Sequence, residues 1–268
     1  MLAGMDVLPR RGFLFASAAA LVTRLSGQQA SRESLIEDVV TANHILAAQE
    51  IVDAFGHVSV RTGPGAGRYL ISRSVAPAQV TAADIMELDL DSKPVGGDKR
   101  TSYREPFIHR EISRVRPDVM SIVHCHAPSL IPFGITKIPL RPVYHNSSFV
   151  GEGVPVFEIR EAGADTNMLV ETPELGKALA KTLGNKPAVL MRGHGAVIVG
   201  KSIIESVARS VYLEVNARVQ AQAMAMGQRV TYLDEGEVKK RSEDPDPYGR
   251  AWDLWKRQAL QGNGQAAR

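Results

Sequence analysis

The stretch Ser121-Ile122-Val123-His124-Cys125-His126-Ala127-Pro128 decides how this chain reads. In an extended strand alternate side chains share a face, so His124 and His126 project together while Cys125 projects to the other side. Two imidazoles on one face make half a metal site. Imidazole nitrogen suits zinc, manganese or iron, and a third histidine completes a three-ligand set that leaves a position open for substrate. The candidate is His194, in Met191-Arg192-Gly193-His194-Gly195. It follows a second apolar, strand-like run, and its flanking glycines permit a tight turn that presents an imidazole at a strand end.

Just upstream of the first stretch lies Ser102-Tyr103-Arg104-Glu105-Pro106-Phe107-Ile108-His109-Arg110-Glu111-Ile112. It reads as a short helix with Pro106 in its first turn and Glu105 at its start. A carboxylate there can face a metal and act as acid or base. Taken in order, Gly56-x-x-Ser59-x-Arg61, Glu105 with His109 four residues on, His124-x-His126, and Gly193-His194-Gly195 resemble the signature of the class II aldolase/adducin family. The resemblance covers about residues 33–230. It implies an α/β fold of three layers, α/β/α, around a central and mainly antiparallel sheet. It further implies one divalent metal ion (zinc, manganese or iron) on His124, His126 and His194, with Glu105 as the catalytic carboxylate. Members of the family usually form homo-tetramers with active sites at subunit interfaces.

Several positions depart from the family's sugar-phosphate aldolases. His57 stands where those enzymes commonly have Asn, Ser72-Arg73-Ser74-Val75 replaces a Thr-x-x-Gly turn, and Tyr103-Arg104 replaces a Ser-Ser pair. Small hydroxyls and glycine amides cradle a phosphate, whereas the planar fork of arginine matches a carboxylate. A carboxylated small molecule is therefore the expected substrate, with Arg73, Ser72, Ser74, Arg104, His57 and His145 as expected contacts. Each arginine suits a surface ion pair equally well, and His145 a structural hydrogen bond. Asn146 occupies the place of a tyrosine that serves family aldolases as proton donor, and an amide cannot act as a general acid.

Beyond these motifs the chain alternates helix and strand signals. Ser31 and Ser34 offer N-cap chemistry for a helix through about Gln49, with His44 in packing or at the surface. A strand of alternating character is expected over 55–61. The cluster Gly63-Pro64-Gly65-Ala66-Gly67 matches no phosphate motif and reads as a hairpin turn into a strand over 68–73. Residues 85–90 read as a strand, 172–183 as a helix stopped by Gly184, and 203–226 as a long amphipathic helix. After a break at 244–247, residues 250–256 suggest a final helix whose Trp252 and Trp255 dock on the domain or a neighbouring subunit, with 261–268 fraying.

The 268 residues, 44% hydrophobic and 23% charged, fit one domain with a substantial core, or one domain plus appendages. The single cysteine excludes an internal disulfide. The net charge is +3, and residues 1–30 carry most of it through Arg10, Arg11 and Arg24 against Asp6. The remainder gives no electrostatic case for nucleic acid. Residues 1–30 resemble a twin-arginine export signal, with Arg10-Arg11-Gly12-Phe13-Leu14 ahead of an apolar run too short to span a bilayer. They depart from the pattern at Pro9 and lack a good cleavage site. The expected organisation is a signal segment at 1–30, the aldolase/adducin domain at 31–240 and a tail helix at 241–268. That implies periplasmic export without stable membrane insertion; the alternative is a basic amphipathic N-terminal helix on a cytoplasmic protein.

Taken together, the substituted positions look most like a decarboxylase-type branch that acts on hydroxypyridine dicarboxylates and dihydroxyphthalates. The expected reaction is metal-dependent loss of carbon dioxide from a hydroxylated aromatic or heteroaromatic carboxylate, with Glu105 protonating the ring carbon from a raised pKa. Two other readings are a metal-dependent aldolase cleaving a non-phosphorylated hydroxy-keto acid and a non-catalytic, adducin-like interaction protein. The latter relatives commonly lose the metal histidines that this chain retains.

Overall fold

The computed structural model describes residues 31–151, 153–163, 165–244 and 248–266. The segment at 1–30 and most of the break at 244–247 lie outside the described residues. Helix α1 (Arg32–Ala48) starts where the Ser31 hydroxyl accepts a hydrogen bond from the Ser34 amide at 3.2 Å. Its buried residues Val39, Ala42, Ile45 and Leu46 recur at helical spacing. The chain then forms β1 (His57–Arg61), turns through the glycine cluster into β2 (Arg68–Ser72), and continues into β3 (Ile85–Asp89). Helix α2 (Pro106–Val115) leads to β4 (Ser121–Cys125), and prolines restrict the next helix to α3 (Ile131–Ile135). Then come β5 (Val156–Phe157), α4 (Pro173–Leu183), β6 (Ala188–Met191), β7 (Gly195–Gly200) and α5 (Ile203–Ala225), followed by α6 (Glu235–Arg241) and α7 (Gly249–Ala266).

The strands form one seven-stranded sheet in the order β3-β2-β1-β4-β7-β6-β5. Every neighbouring pair is antiparallel except β5 with β6. Helices cover both faces, giving the expected three-layer α/β/α arrangement around a mainly antiparallel sheet. On one face Val58, Val123, Cys125, Ala196 and Ile198 pack with α1, α5 and α7. On the other Ile122, Val197 and Val199 pack with Ile108 and Ile112 of α2 and Leu179 and Leu183 of α4. Coverage on both sides is why β1 is buried at all five positions rather than alternating as expected. The strand also begins two residues late, leaving Phe55 65% exposed.

Helix α5 departs further from the expected amphipathic pattern. Val219 is exposed, whereas Ser206, Ser210, Asn216 and Gln220 are buried. The amide side chains hold a loop: Asn216 accepts from the Val143 amide at 2.9 Å and donates to the Arg141 carbonyl at 2.8 Å. Gln220 does the same for Arg141 and Pro139. Helix α6 was not expected, although Asp234 and Glu237 form a reciprocal capping box at its start. Helix α7 runs on to Ala266, past the point where fraying was expected, and Trp252 and Trp255 sit within the main core. No described helix is long and apolar enough to cross a membrane.

Candidate metal centre

His124 lies on β4 opposite His57 of β1 and Val197 of β7, on the face covered by α2 and α4. His126 follows the strand end. His194 stands in the tight turn between β6 and β7, where Gly193 takes the left-handed conformation (φ 62°) and the His194 amide bonds to the Met191 carbonyl. A Cβ at Gly195 would overlap the carbonyl oxygen of Cys125, so only glycine lets this turn press against the end of β4. The contact brings His194 to His126.

The three imidazoles converge through the same atom. His126 Nε2 lies 3.1 Å from His124 Nε2 and 3.0 Å from His194 Nε2. Glu105, at the N-cap of α2, aims its carboxylate at the same point, with Oε2 3.4 Å from His124 Nε2 and 3.6 Å from His194 Nε2. Ligand atoms of all four residues lie within 4.8 Å of one another. His124 Nδ1 donates to the Ala196 carbonyl at 3.1 Å, and His194 Nδ1 to the Met168 carbonyl at 2.9 Å. Those bonds place the proton on Nδ1 and leave the Nε2 lone pair facing inward, the outer arrangement that metal-binding histidines have. The donor set therefore fits a divalent ion such as zinc, manganese or iron.

The electrostatics agree with that fit. Burial holds the His126 imidazole down at about 4, and burial likewise lowers His194; the neighbouring His124 adds to both effects. Neutral rings are the form that binds metal. Glu105 corrects an expectation. Burial alone would raise its carboxyl, but positive charge at His124 and His194, carried by protons or by a bound divalent ion, together with the Val170 amide, which donates to Oε1 at 2.8 Å, outweighs burial and holds it at about 2. Its resting form is the carboxylate, not the raised-pKa acid expected from the sequence.

Among the expected substrate contacts, only His57 is brought against the centre, its ring centroid 5.0 Å from that of His124. Ser72 is fully buried and bonds the Tyr103 hydroxyl at 2.7 Å, and Tyr103 in turn lies 4.6 Å from the His57 ring. Ser74 is exposed. Arg73 pairs with Asp84 at 2.6 Å, and Arg104, largely exposed, pairs with Glu171 at 2.7 Å. His145 is exposed and packs edge-on against Tyr144, and no described contact joins it to the centre. His44 bonds the Val80 carbonyl, a packing role. The sequence reading missed Met168 and Val170, which act through backbone atoms, and the pair Ser59 and His109 behind His57. The last pair had a signal: both belong to the spaced motifs that flank the site.

The profile of the class II aldolase and adducin N-terminal domain matches residues 37–221. The decarboxylase tropJ of Talaromyces stipitatus is 32% identical over 251 residues, covering 85% of this chain and 94% of its own. A 3,4-dihydroxyphthalate decarboxylase of Arthrobacter keyseri is 27% identical over 225 residues, covering 78% of this chain and 86% of its own. The structure of an L-fuculose 1-phosphate aldolase from Glaciozyma antarctica superposes with a TM-score of 0.71 at 21% identity, over 89% of this chain and 95% of its own. That last likeness is one of fold.

Proposed function

The chain belongs to the class II aldolase and adducin family and is a carbon–carbon lyase, and from that premise we propose that it decarboxylates a hydroxylated aromatic or heteroaromatic carboxylate. The observation that carries this reading is the convergence of three imidazole Nε2 atoms beside the ionised carboxylate of Glu105. The similarity to decarboxylases over most of the chain supports it.

His124, His126 and His194 would hold one divalent ion. When bound, the ion supplies Lewis acidity to a substrate hydroxyl and its neighbouring carboxylate. Glu105 does the proton work. Its Oε1 is fixed by the Val170 amide, which leaves Oε2 to take the proton from the substrate hydroxyl. Glu105 then delivers that proton to the ring carbon bearing the carboxylate. The bond from this carbon to the carboxylate breaks, its electron pair returns through the ring to the oxygen, and carbon dioxide leaves. The oxygen regains a proton from water, so each turnover consumes one solvent proton. A carboxyl group that is ionised at rest suits this order, because it must accept a proton before it can give one.

Arg104 immediately precedes Glu105, and its ion pair with Glu171 is exposed, a class of contact that contributes about 0–1 kcal/mol. It can exchange Glu171 for a second substrate carboxylate with little penalty. Carbon dioxide release from a panel of ortho-hydroxy aromatic dicarboxylates tests the reading. We expect release from at least one member and a loss of about a thousandfold or more in Glu105→Gln with metal content unchanged. Cleavage of hydroxy-keto acids without carbon dioxide release would instead establish aldolase chemistry.

Two further features belong to the same proposal. Residues 1–30 direct export to the periplasm, which cell fractionation of the wild type and an Arg10→Lys, Arg11→Lys variant tests; cytoplasmic retention of both would refute it. The chain works as a homo-oligomer, and a monomer in light scattering would refute that.

A further inference from the structure

Behind the metal centre three buried side chains form a hydrogen-bonded row that the proposed chemistry does not use. Ser59 Oγ lies 2.6 Å from His109 Nδ1, and His109 Nε2 lies 2.7 Å from His57 Nδ1. All three residues are at most 3% exposed. Tyr69 stacks on His109 (ring centroids 6.0 Å apart, 21° between planes), and Tyr103 lies against His57, so neither ring is free to turn.

The direction of the row follows from which donors have acceptors. The described residues offer the Ser59 hydroxyl proton only one acceptor, His109 Nδ1. If His109 Nδ1 carried a proton instead, that hydroxyl would be a buried donor with nothing to bond, which costs the full desolvation of the group. Ser59 therefore donates to His109 Nδ1. The His109 proton is then on Nε2 and is donated to His57 Nδ1, which puts the His57 proton on Nε2. Each ring then carries a single proton and is neutral.

The Nε2–H of His57 has no acceptor among the described residues, although the residue is 97% buried and its ring stands beside His124. We infer that Ser59 and His109 are positioning residues that lock His57 in its Nε2–H tautomer, so that His57 presents a fixed hydrogen-bond donor to a carboxylate of the substrate. The ligand class rests on the decarboxylase reading; the tautomer does not. A neutral donor held rigid by a buried row selects for an acceptor such as a carboxylate oxygen and discriminates against a group that can only donate.

The test is long-range proton–nitrogen NMR of the full chain, labelled with ¹⁵N-histidine and loaded with zinc, without and with phthalate as a simple aromatic dicarboxylate probe. In the free protein we expect His57 protonated on Nε2 alone. Protonation on Nδ1, or on both nitrogens, overturns the lock. Phthalate should move the His57 Nε2–H signal, and phthalate that fails to bind or leaves the signal in place overturns the carboxylate assignment. Ser59→Ala should give mixed His57 tautomers and weaken phthalate binding about tenfold, whereas Ser59→Thr should keep both properties. If Ser59→Ala changes neither, Ser59 has no positioning role. The wild-type tautomer needs no variant to fold. A locked tautomer in a protein that releases no carbon dioxide from any substrate would refute the decarboxylase reading and leave the lock standing.

Discussion

At Glu105 two opposing effects meet, and their balance decides its chemistry. Burial favours the neutral acid, but positive charge at His124 and His194, from protons or a bound divalent ion, and a backbone amide favour the carboxylate and prevail. The residue itself was legible in the sequence because carboxylate and histidine types at family spacing carry their own chemistry. Its protonation state was not, because the Val170 amide reaches it from 65 residues away. Met168 was hidden for the same reason, since every residue has a carbonyl. The lowered imidazole values give a pH prediction with a definite sign. A histidine whose folded value lies below the ordinary 6.5 binds its proton more readily in the unfolded chain, so stability is greatest above 6.5 and is lost as pH falls toward the folded value of about 4 at His126. Thermal unfolding of the metal-free protein should therefore occur at lower temperature at pH 5 than at pH 7. Equal midpoints would contradict the buried neutral imidazoles. Zinc should likewise stay bound down to about pH 5.5, because protons compete weakly at these rings.

The elements position the site by close approaches that sequence patterns only partly disclose. Strands β4 and β6, the glycine-flanked turn at His194 and the start of α2 were readable from apolar runs, glycines and proline, whereas β7 was not assigned. The pressing of α4 on α2 was not. It depends on Gly176, where an added Cβ would meet the Phe107 carbonyl oxygen at 2.6 Å and Glu111 Cγ at 2.8 Å. Since Glu105 begins α2, moving that helix moves the carboxylate. Gly176→Ala should destabilise the protein by about 2–4 kcal/mol and lower activity more than metal affinity, measured by denaturant unfolding and metal titration. Unchanged stability would show that the helix pair can part without effect. Helix α5 teaches the complementary lesson. Its buried Asn216 and Gln220 look like surface residues in a periodicity reading, yet they bond the backbone of a loop that has no regular structure of its own.

For the whole molecule, the three-layer arrangement was legible through the family resemblance, and so was a final helix with Trp252 and Trp255 docked on the domain, while the length of that helix was not. Helix α7 is integral to the core rather than an appendage, because Trp252 and Trp255 pack with residues of α1 and α5. Trp252→Ala should cost about 3–5 kcal/mol and lower the melting temperature, a change that differential scanning calorimetry would register. A neutral effect would place α7 outside the cooperative unit. Above all, the molecule is organised to bring three imidazoles and one carboxylate to a single point. The most direct test is to strip the purified protein of metal with a chelator and titrate zinc, manganese or iron back while following carbon dioxide release from its best ortho-hydroxy aromatic dicarboxylate. Activity should rise in proportion to bound metal and stop at one ion per chain; release that ignores the metal, or no release from a chain holding one ion, would contradict a metal-dependent decarboxylase.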